Sequence, residues 1–166
     1  MSKRYASIII SIFLLLFTLQ AQAQKKIKIA CVGNSITEGF LLRNPSEESY
    51  PAVLQKLLGD KYEVENFGVT AHTLSMKGDL PYMKTQRFQE ALDFLPDIVT
   101  IKLGTNDSKP QNWQHHASFK EDLNLLIDKF QALASHPRIY LCLPIPSNHK
   151  EWGINDSIIV HGIIPY

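Results

Sequence analysis

The stretch Ile27-Lys28-Ile29-Ala30-Cys31-Val32-Gly33-Asn34-Ser35 decides the fold of this chain. Residues 27–32 are mostly apolar and rich in β-branched side chains, which is typical of a buried strand, and Gly33 ends the run. Because Gly33 lacks a Cβ atom it permits a sharp turn, so Ser35 is predicted at a strand-to-helix turn with its hydroxyl facing the crevice beyond the strand. Ser35 could be a nucleophile there or only cap the next helix, and this loop alone does not decide between the two.

Three more strands are predicted further along the chain, at residues 62–66, 97–103 and 138–143. Helical patterns at residues 50–58, at 80–94 and from Ser118 onward separate them. Strands that alternate with helices indicate an α/β fold with a parallel sheet between helical layers. We therefore predict a flavodoxin-like three-layer sandwich with strand order 2-1-3-4, in which an expected fifth strand is missing.

The sequence predicts N-caps at the starts of the last two helices. Ser118 is followed three residues later by Glu121, and this spacing predicts a capping box at the start of the clearest amphipathic helix. Asn155 or Asp156 is predicted to cap a final helix that runs to Tyr166.

The two cysteines that follow the N-terminal segment, Cys31 and Cys142, fall on the first and fourth predicted strands. The predicted order does not make these strands neighbours, and adjacent strands are already about 4.8 Å apart, so the cysteines should lie beyond the roughly 7 Å limit for a disulfide. We predict two buried free thiols that fill core space.

The first 23 residues differ from the rest of the chain. Lys3 and Arg4 precede an apolar run of about a dozen residues, and Ala21-Gln22-Ala23 supplies the small residues of a cleavage site. A membrane anchor is the alternative, but spanning a bilayer takes about 20 apolar residues. We predict a signal peptide at 1–23, an exported domain at 24–166, and no stable membrane anchor after cleavage.

The net charge and the motifs of the sequence argue against several classes of function. The formal net charge is +1, which gives no reason to expect a nucleic-acid partner. The sequence has no P-loop, no G-x-G-x-x-G and no metal-ligand spacing such as H-E-x-x-H, so we infer no metal and no cofactor.

Two further loops carry chemistry at the same predicted end of the sheet. Gly68 follows the second strand, where its N–H could approach a substrate or merely serve a turn. Asn106 follows the third strand and offers an uncharged amide donor, although Asn also forms turns of its own. A hydroxyl nucleophile together with such N–H donors makes a constellation for acyl transfer.

These three loops resemble the conserved blocks of SGNH/GDSL hydrolases. Gly33-Asn34-Ser35 is similar to the G-D-S block with Asn in place of Asp, Gly68 matches the second block, and Gly104-Thr105-Asn106-Asp107 matches the third. The resemblance covers the chain from Lys26 to its end. It implies a serine ester hydrolase with Ser35 as nucleophile and an oxyanion held by the N–H groups of Ser35 and Gly68 and the side chain of Asn106.

The residues 104–113 and 150–166 are most similar to a carbohydrate-esterase branch of the family, the sialate O-acetylesterase-like proteins. This branch implies removal of small acyl groups, above all acetyl, from a carbohydrate or other small-molecule ester. Lysophospholipid or thioester hydrolysis is an alternative within the family, and a non-catalytic carbohydrate-binding protein is another.

One block of the family is absent from the sequence. The resemblance implies an Asp-x-x-His near the C-terminus, and no Asp-x-x-His occurs, so we expect the domain to be incomplete there and its catalytic histidine to lie outside this chain. A serine hydroxyl is a poor nucleophile without a base. Three other histidines, His115, His116 and His149, are predicted towards the catalytic end and could serve as the base instead. His72 follows the second loop and could line the pocket.

Substrate contacts are predicted for Asn34, Asp107 and Trp113. Asp107 could instead hold its own loop, which we favour. Trp113 and Trp152 could each stack on a sugar ring or close the core, and Asn112 could add a polar contact.

Overall fold

The computed structural model of this protein describes residues 25–146 and 152–166. The predicted signal peptide and His149 lie outside the described residues. Four parallel strands form one sheet in the order β2-β1-β3-β4. Their bounds are β1 Ile27–Gly33, β2 Tyr62–Gly68, β3 Ile98–Lys102 and β4 Arg138–Leu141. The predicted fold class and strand order are confirmed.

The register of the strands brings the candidate loops together. Gly33, the last residue of β1, pairs with Gly68 at the end of β2 on one side and with Lys102 at the end of β3 on the other. Three strands therefore end at the same level, and the loops that follow them share one edge of the sheet.

The described helices are mostly short. They are α1 Ser35–Glu38, α2 Pro45–Glu48, α3 Tyr50–Leu58, α4 Gln86–Asp93, α5 Pro110–Trp113, α6 Phe119–Gln131 and α7 Asp156–Ile158. Single 3₁₀ turns occupy Tyr82–Lys84, Asn106–Ser108 and His116–Ser118. No described helix is both long enough and apolar enough to cross a membrane.

The predicted helix at 80–94 is broken at Thr85. Thr85 has an extended backbone, and its hydroxyl accepts a hydrogen bond from Phe88 N at 3.1 Å. This N-cap starts α4 at Gln86, and only a 3₁₀ turn precedes it.

The predicted capping box at Ser118 is wrong. Ser118 closes a 3₁₀ turn with a helical backbone, and its hydroxyl donates to His115 O at 3.2 Å instead of accepting from the first turn of α6. Asn155 caps α7 as predicted, since its Oδ1 accepts from Ile158 N at 3.2 Å. The helix then continues as a π turn over Ile159–Ile163 and does not reach Tyr166 as an α-helix.

The core lies between the sheet and the helices that pack on it. Val32, Val99, Leu126, Phe130 and Ile159 are fully buried there. Cys31 and Cys142 are both free thiols, as predicted. Cys31 lies on β1, whereas Cys142 directly follows β4, which ends at Leu141 and is shorter than the predicted strand. Cys31 is buried, whereas Cys142 is only half-buried, so the prediction of a core position for Cys142 is wrong.

Candidate active site

A cleft of about 590 Å³ opens where the loops after β1, β2 and β3 meet. Its position, beyond the carboxyl ends of the strands and beside the point where strand order reverses, is where open parallel sheets bind ligands. Most of its side chains are apolar. The residues that line it are Ser35, Ile36, Phe40, Thr70, Ala71, Thr105, Asn106, Lys109, Ile145, Pro146, Trp152 and Ile154.

Ser35 is the first residue of α1 and faces this cleft. An added Cβ on Gly33 would lie 1.9 Å from Thr37 Oγ1 and 2.9 Å from Lys102 O, so only glycine fits the turn before it. Within the described residues, no hydrogen-bond partner is found for the Ser35 hydroxyl or its backbone N–H. Both groups are free to meet a ligand.

Asn34, predicted to contact substrate, is buried and caps α1. Its Oδ1 accepts a hydrogen bond from Ile36 N at 3.3 Å, and its carbonyl accepts from Thr37 N and Glu38 N. The side chain therefore stabilises the turn that presents Ser35, and it does not line the cleft.

Asn106 reaches the cleft from the 3₁₀ turn after β3. Its Nδ2 donates one hydrogen to His72 O at 3.0 Å, which leaves the second hydrogen of the amide free. Asn112 holds this turn from behind, since its Nδ2 donates to Asn106 O at 2.9 Å and to Asp79 Oδ1 at 3.1 Å. Asn112 is buried, so it supports the loop and makes no contact in the cleft.

Gly68 does not bring its N–H to the cleft. That N–H donates to Asn66 Oδ1 at 2.9 Å. An added Cβ on Gly68 would lie 2.2 Å from Glu38 N, so the glycine allows β2 and α1 to approach closely. The geometry thus corrects the predicted oxyanion role of the Gly68 N–H.

Ala71, three residues further on, lines the cleft together with Ser35 and Asn106. Its backbone is left-handed, with φ of 66°, which is uncommon for a residue with a side chain. Within the described part of the chain, nothing accepts a hydrogen bond from the Ala71 N–H. Sequence reasoning missed this residue because an alanine gives no sign of a left-handed conformation.

Glu38 ties the Ala71 loop to the helix that begins at Ser35. Its Oε2 accepts hydrogen bonds from Thr70 N at 2.7 Å and from the Thr70 hydroxyl. Asn66 adds a second link, since its Nδ2 donates to Thr37 O at 2.8 Å. These bonds fix the first and second loops against each other.

Asp107, another predicted substrate contact, is buried beneath the cleft. Its two carboxylate oxygens accept from Leu74 N at 2.9 Å and Ser75 N at 2.8 Å. Burial raises the pKa of Asp107 to about 6, while these N–H donors act to lower it and the nearby Asp122 carboxylate adds to the rise. Asp107 therefore holds a loop, as the sequence analysis favoured, and does not bind substrate.

Residues 31–159 match the model of the GDSL-like Lipase/Acylhydrolase family. The chain belongs to this family.

Two curated proteins illustrate the relationship. Acetylxylan esterase from Xylanibacter ruminicola is 44% identical over 165 residues, covering 89% of this chain and 34% of the relative. Arylesterase from Vibrio mimicus is 33% identical over 94 residues, covering 56% of this chain and 44% of the relative. This chain thus spans less than half the length of either relative.

Solved structures of similar proteins share the fold. An aryl esterase from M. smegmatis has a TM-score of 0.64 at 19% identity, covering 81% of this chain and 74% of its own. A carbohydrate acetylesterase from Sinorhizobium meliloti has a TM-score of 0.61 at 23% identity, and the match covers 73% of this chain and 65% of the acetylesterase.

The two candidate tryptophans of this family member have different surroundings. Trp113 stacks on His116 with ring centroids 5.4 Å apart, contacts Phe119, and lies so close to Gly162 that an added Cβ there would sit 2.5 Å from it. It is a packing residue, which corrects the predicted substrate contact. Trp152, in contrast, lines the cleft.

No histidine of the described residues lines the cleft. The Nδ1 atom of His72 lies 2.8 Å from Thr70 O, and that of His116 lies 3.0 Å from Trp113 O. Among the described residues there is also no group of three or more His, Cys, Asp or Glu side chains that could hold a metal ion.

Proposed function

We propose that this protein is a serine ester hydrolase that removes small acyl groups, above all acetyl, from carbohydrate through an acyl-enzyme. One observation carries the proposal: the hydroxyl of Ser35, which has no hydrogen-bond partner among residues 25–146 and 152–166, shares a cleft with the Asn106 amide and the Ala71 N–H. The acetylxylan esterase relative supports the choice of acyl group and of alcohol.

In this mechanism Ser35 Oγ bonds to the ester carbonyl carbon and its proton passes to a histidine base. The oxyanion accepts hydrogen bonds from Ser35 N–H, Ala71 N–H and the second amide hydrogen of Asn106. Each such donor is worth about 3 kcal/mol in the transition state. The bond to the alcohol then breaks and the base returns its proton to the leaving oxygen.

Water releases the acyl group in the second half of the reaction. The base takes a proton from the water, the hydroxide adds to the acyl carbon, and Ser35 Oγ leaves with the proton that the base gives back. None of the described histidines lines the cleft, so we do not assign the base to any of them. His149 is one candidate, and the histidine of the Asp-x-x-His block that the family resemblance implies, a motif absent from this sequence, is the other.

Export of the protein is a further part of the proposal. It is supported by the basic start, the short apolar run and the Ala-x-Ala at residues 21–23. Expression of the gene in its own host, followed by N-terminal sequencing of the mature protein, would check the cleavage after Ala23. An uncleaved N-terminus would contradict it.

The enzymatic proposal is tested by hydrolysis of p-nitrophenyl acetate and of acetylated xylo-oligosaccharides with the full-length protein. Replacement of Ser35 by Ala should lower kcat by about 1000-fold or more, because the covalent route is lost. The matched control is Ser46→Ala, an exposed serine of α2 outside the cleft that should leave kcat unchanged. Equal activity of Ser35→Ala and the wild type would end the proposal, and binding without Ser35-dependent turnover would favour the carbohydrate-binding alternative.

A further inference from the structure

Two large aromatic side chains stand open at the cleft. Phe40 and Trp152 meet edge to face, with ring centroids 6.0 Å apart and ring planes 73° apart. They are 49% and 56% exposed, whereas aromatic residues such as Phe119 and Phe130 are buried. Exposed aromatic surface is unfavourable in water, so a ligand that packs on these two rings would gain free energy by burying it.

Phe40 is held at a set distance from the candidate nucleophile. The N–H of Phe40 donates to the carbonyl of Ser35 at 3.0 Å. Gly39, between α1 and Phe40, has a φ of 90°, a left-handed conformation that glycine adopts freely and that ends the helix. The position of the Phe40 ring is therefore coupled to that of Ser35.

Trp152 is coupled in a similar way to the loop that carries Asn106. Asn155 N, three residues after Trp152, donates to Ser108 Oγ at 3.0 Å, and that hydroxyl donates to Thr105 O at 2.7 Å. Ile154, between them, lines the same cleft. Both rings are thus anchored to segments that hold the candidate catalytic groups.

Polar groups complete the lining of the cleft. Thr70, Thr105 and Lys109 line it together with the two rings. Within the described residues, neither the Thr105 hydroxyl nor the Lys109 ammonium has a hydrogen-bond or ion-pair partner. A cleft with aromatic surface and free polar groups matches a sugar ring, which has apolar C–H faces and a rim of hydroxyls.

We propose that Phe40 and Trp152 form the subsite for the pyranose ring that carries the ester. This inference rests on the proposed function and assigns the alcohol half of the substrate to a place in the cleft. One face of the sugar packs on the aromatic pair, and its hydroxyls hydrogen bond to Lys109 and Thr105. The pair thereby selects esters of ring-shaped, hydroxylated alcohols over esters of simple alcohols.

Binding to the full chain tests the subsite without turnover. In the Ser35→Ala background, the Kd for acetylated xylotriose would be measured by isothermal titration calorimetry. Adding Trp152→Ala or Phe40→Ala should raise this Kd about fivefold to thirtyfold, and Trp152→Phe should recover most of the loss. Tyr140→Ala is the matched control, because Tyr140 is 51% exposed but does not line the cleft, and it should change Kd less than about twofold.

Several results would overturn the subsite. One is a Kd that stays within about twofold of the parent in both aromatic variants, and another is a parent that does not bind the sugar at all. A loss of affinity for p-nitrophenyl acetate with unchanged affinity for acetylated xylotriose would make the pair an aryl site and refute the sugar assignment. Failure of the proposed function is seen separately, as hydrolysis that does not depend on Ser35.

Discussion

Replacement of Asp107 by Asn tests whether this buried carboxylate fixes the loop that lies under the cleft. Both of its oxygens accept backbone N–H groups, from Leu74 at 2.9 Å and from Ser75 at 2.8 Å. The Asn side chain can still accept from one of these two N–H groups through its oxygen. Its NH₂ group faces the other N–H, and that N–H is then buried without an acceptor. Such a loss costs about 1–3 kcal/mol of unfolding free energy.

The same carboxylate should make stability depend on pH. Burial raises the pKa of Asp107 from 3.8 to about 6, so the folded protein binds this proton more tightly than the unfolded chain does. The stabilising contribution is therefore fully present below about pH 4 and is lost as the pH rises through 6. A rise of about two pKa units corresponds to about 2–3 kcal/mol between pH 4 and pH 7.

Urea unfolding at pH 4, 5, 6 and 7, followed by tryptophan fluorescence, would measure this contribution. Asn does not titrate, so the wild type's advantage over Asp107→Asn should be largest at pH 4 and smaller by about 2–3 kcal/mol at pH 7. Asp60→Asn, at an exposed turn, is the control and should shift stability by less than about 0.5 kcal/mol throughout. An advantage that is constant with pH, or that grows towards pH 7, would refute a raised pKa.

Three further substitutions probe other contacts. Gly68→Ala should destabilise the protein by about 1–3 kcal/mol or more in urea unfolding, because the added Cβ meets the backbone of Glu38 at 2.2 Å. The control is Gly59→Ala, whose Cβ would have nothing within 4 Å and which should cost about 1 kcal/mol. Equal costs for the two substitutions would contradict the packing role of Gly68. Glu38→Ala should lower kcat for p-nitrophenyl acetate about tenfold with little change in KM, because it removes the hydrogen bonds that hold the Ala71 loop against α1. Glu47→Ala, at an exposed position, is the control and should leave kcat unchanged. An unchanged kcat in Glu38→Ala would show that Glu38 does not position the Ala71 loop. The 166-residue chain should self-associate through β4, because this strand ends the described sheet with Leu141 and Tyr140 both 51% exposed, and Leu141→Lys should reduce the association. A wild type that elutes as a monomer on size exclusion at high concentration, or a profile that the substitution does not alter, would refute this.

Local patterns in the sequence were sufficient for the strands and for the position of Ser35. The run before Gly33 is apolar enough to be a buried strand, and Gly33 predicts the turn that presents Ser35 from neighbouring residues alone. The cap of Asn155 on the last helix was predictable for the same reason. The N-cap of α1 is Asn34, however, and not Ser35, which the sequence offered as a possible cap. These features depend on contacts within a few residues, which the sequence contains directly.

The partners of the other site residues were decided by contacts between distant segments. The Gly68 N–H is occupied by the side chain of Asn66, and the left-handed Ala71 follows Thr70, whose N–H binds the distant Glu38. Trp113 and Trp152 are equivalent as sequence positions, yet one packs on Phe119 and the other faces the cleft. A nucleophile and its turn can thus be recognised from neighbouring residues, whereas the N–H groups and rings around it are assigned only when the folded chain uses up some donors and leaves others open.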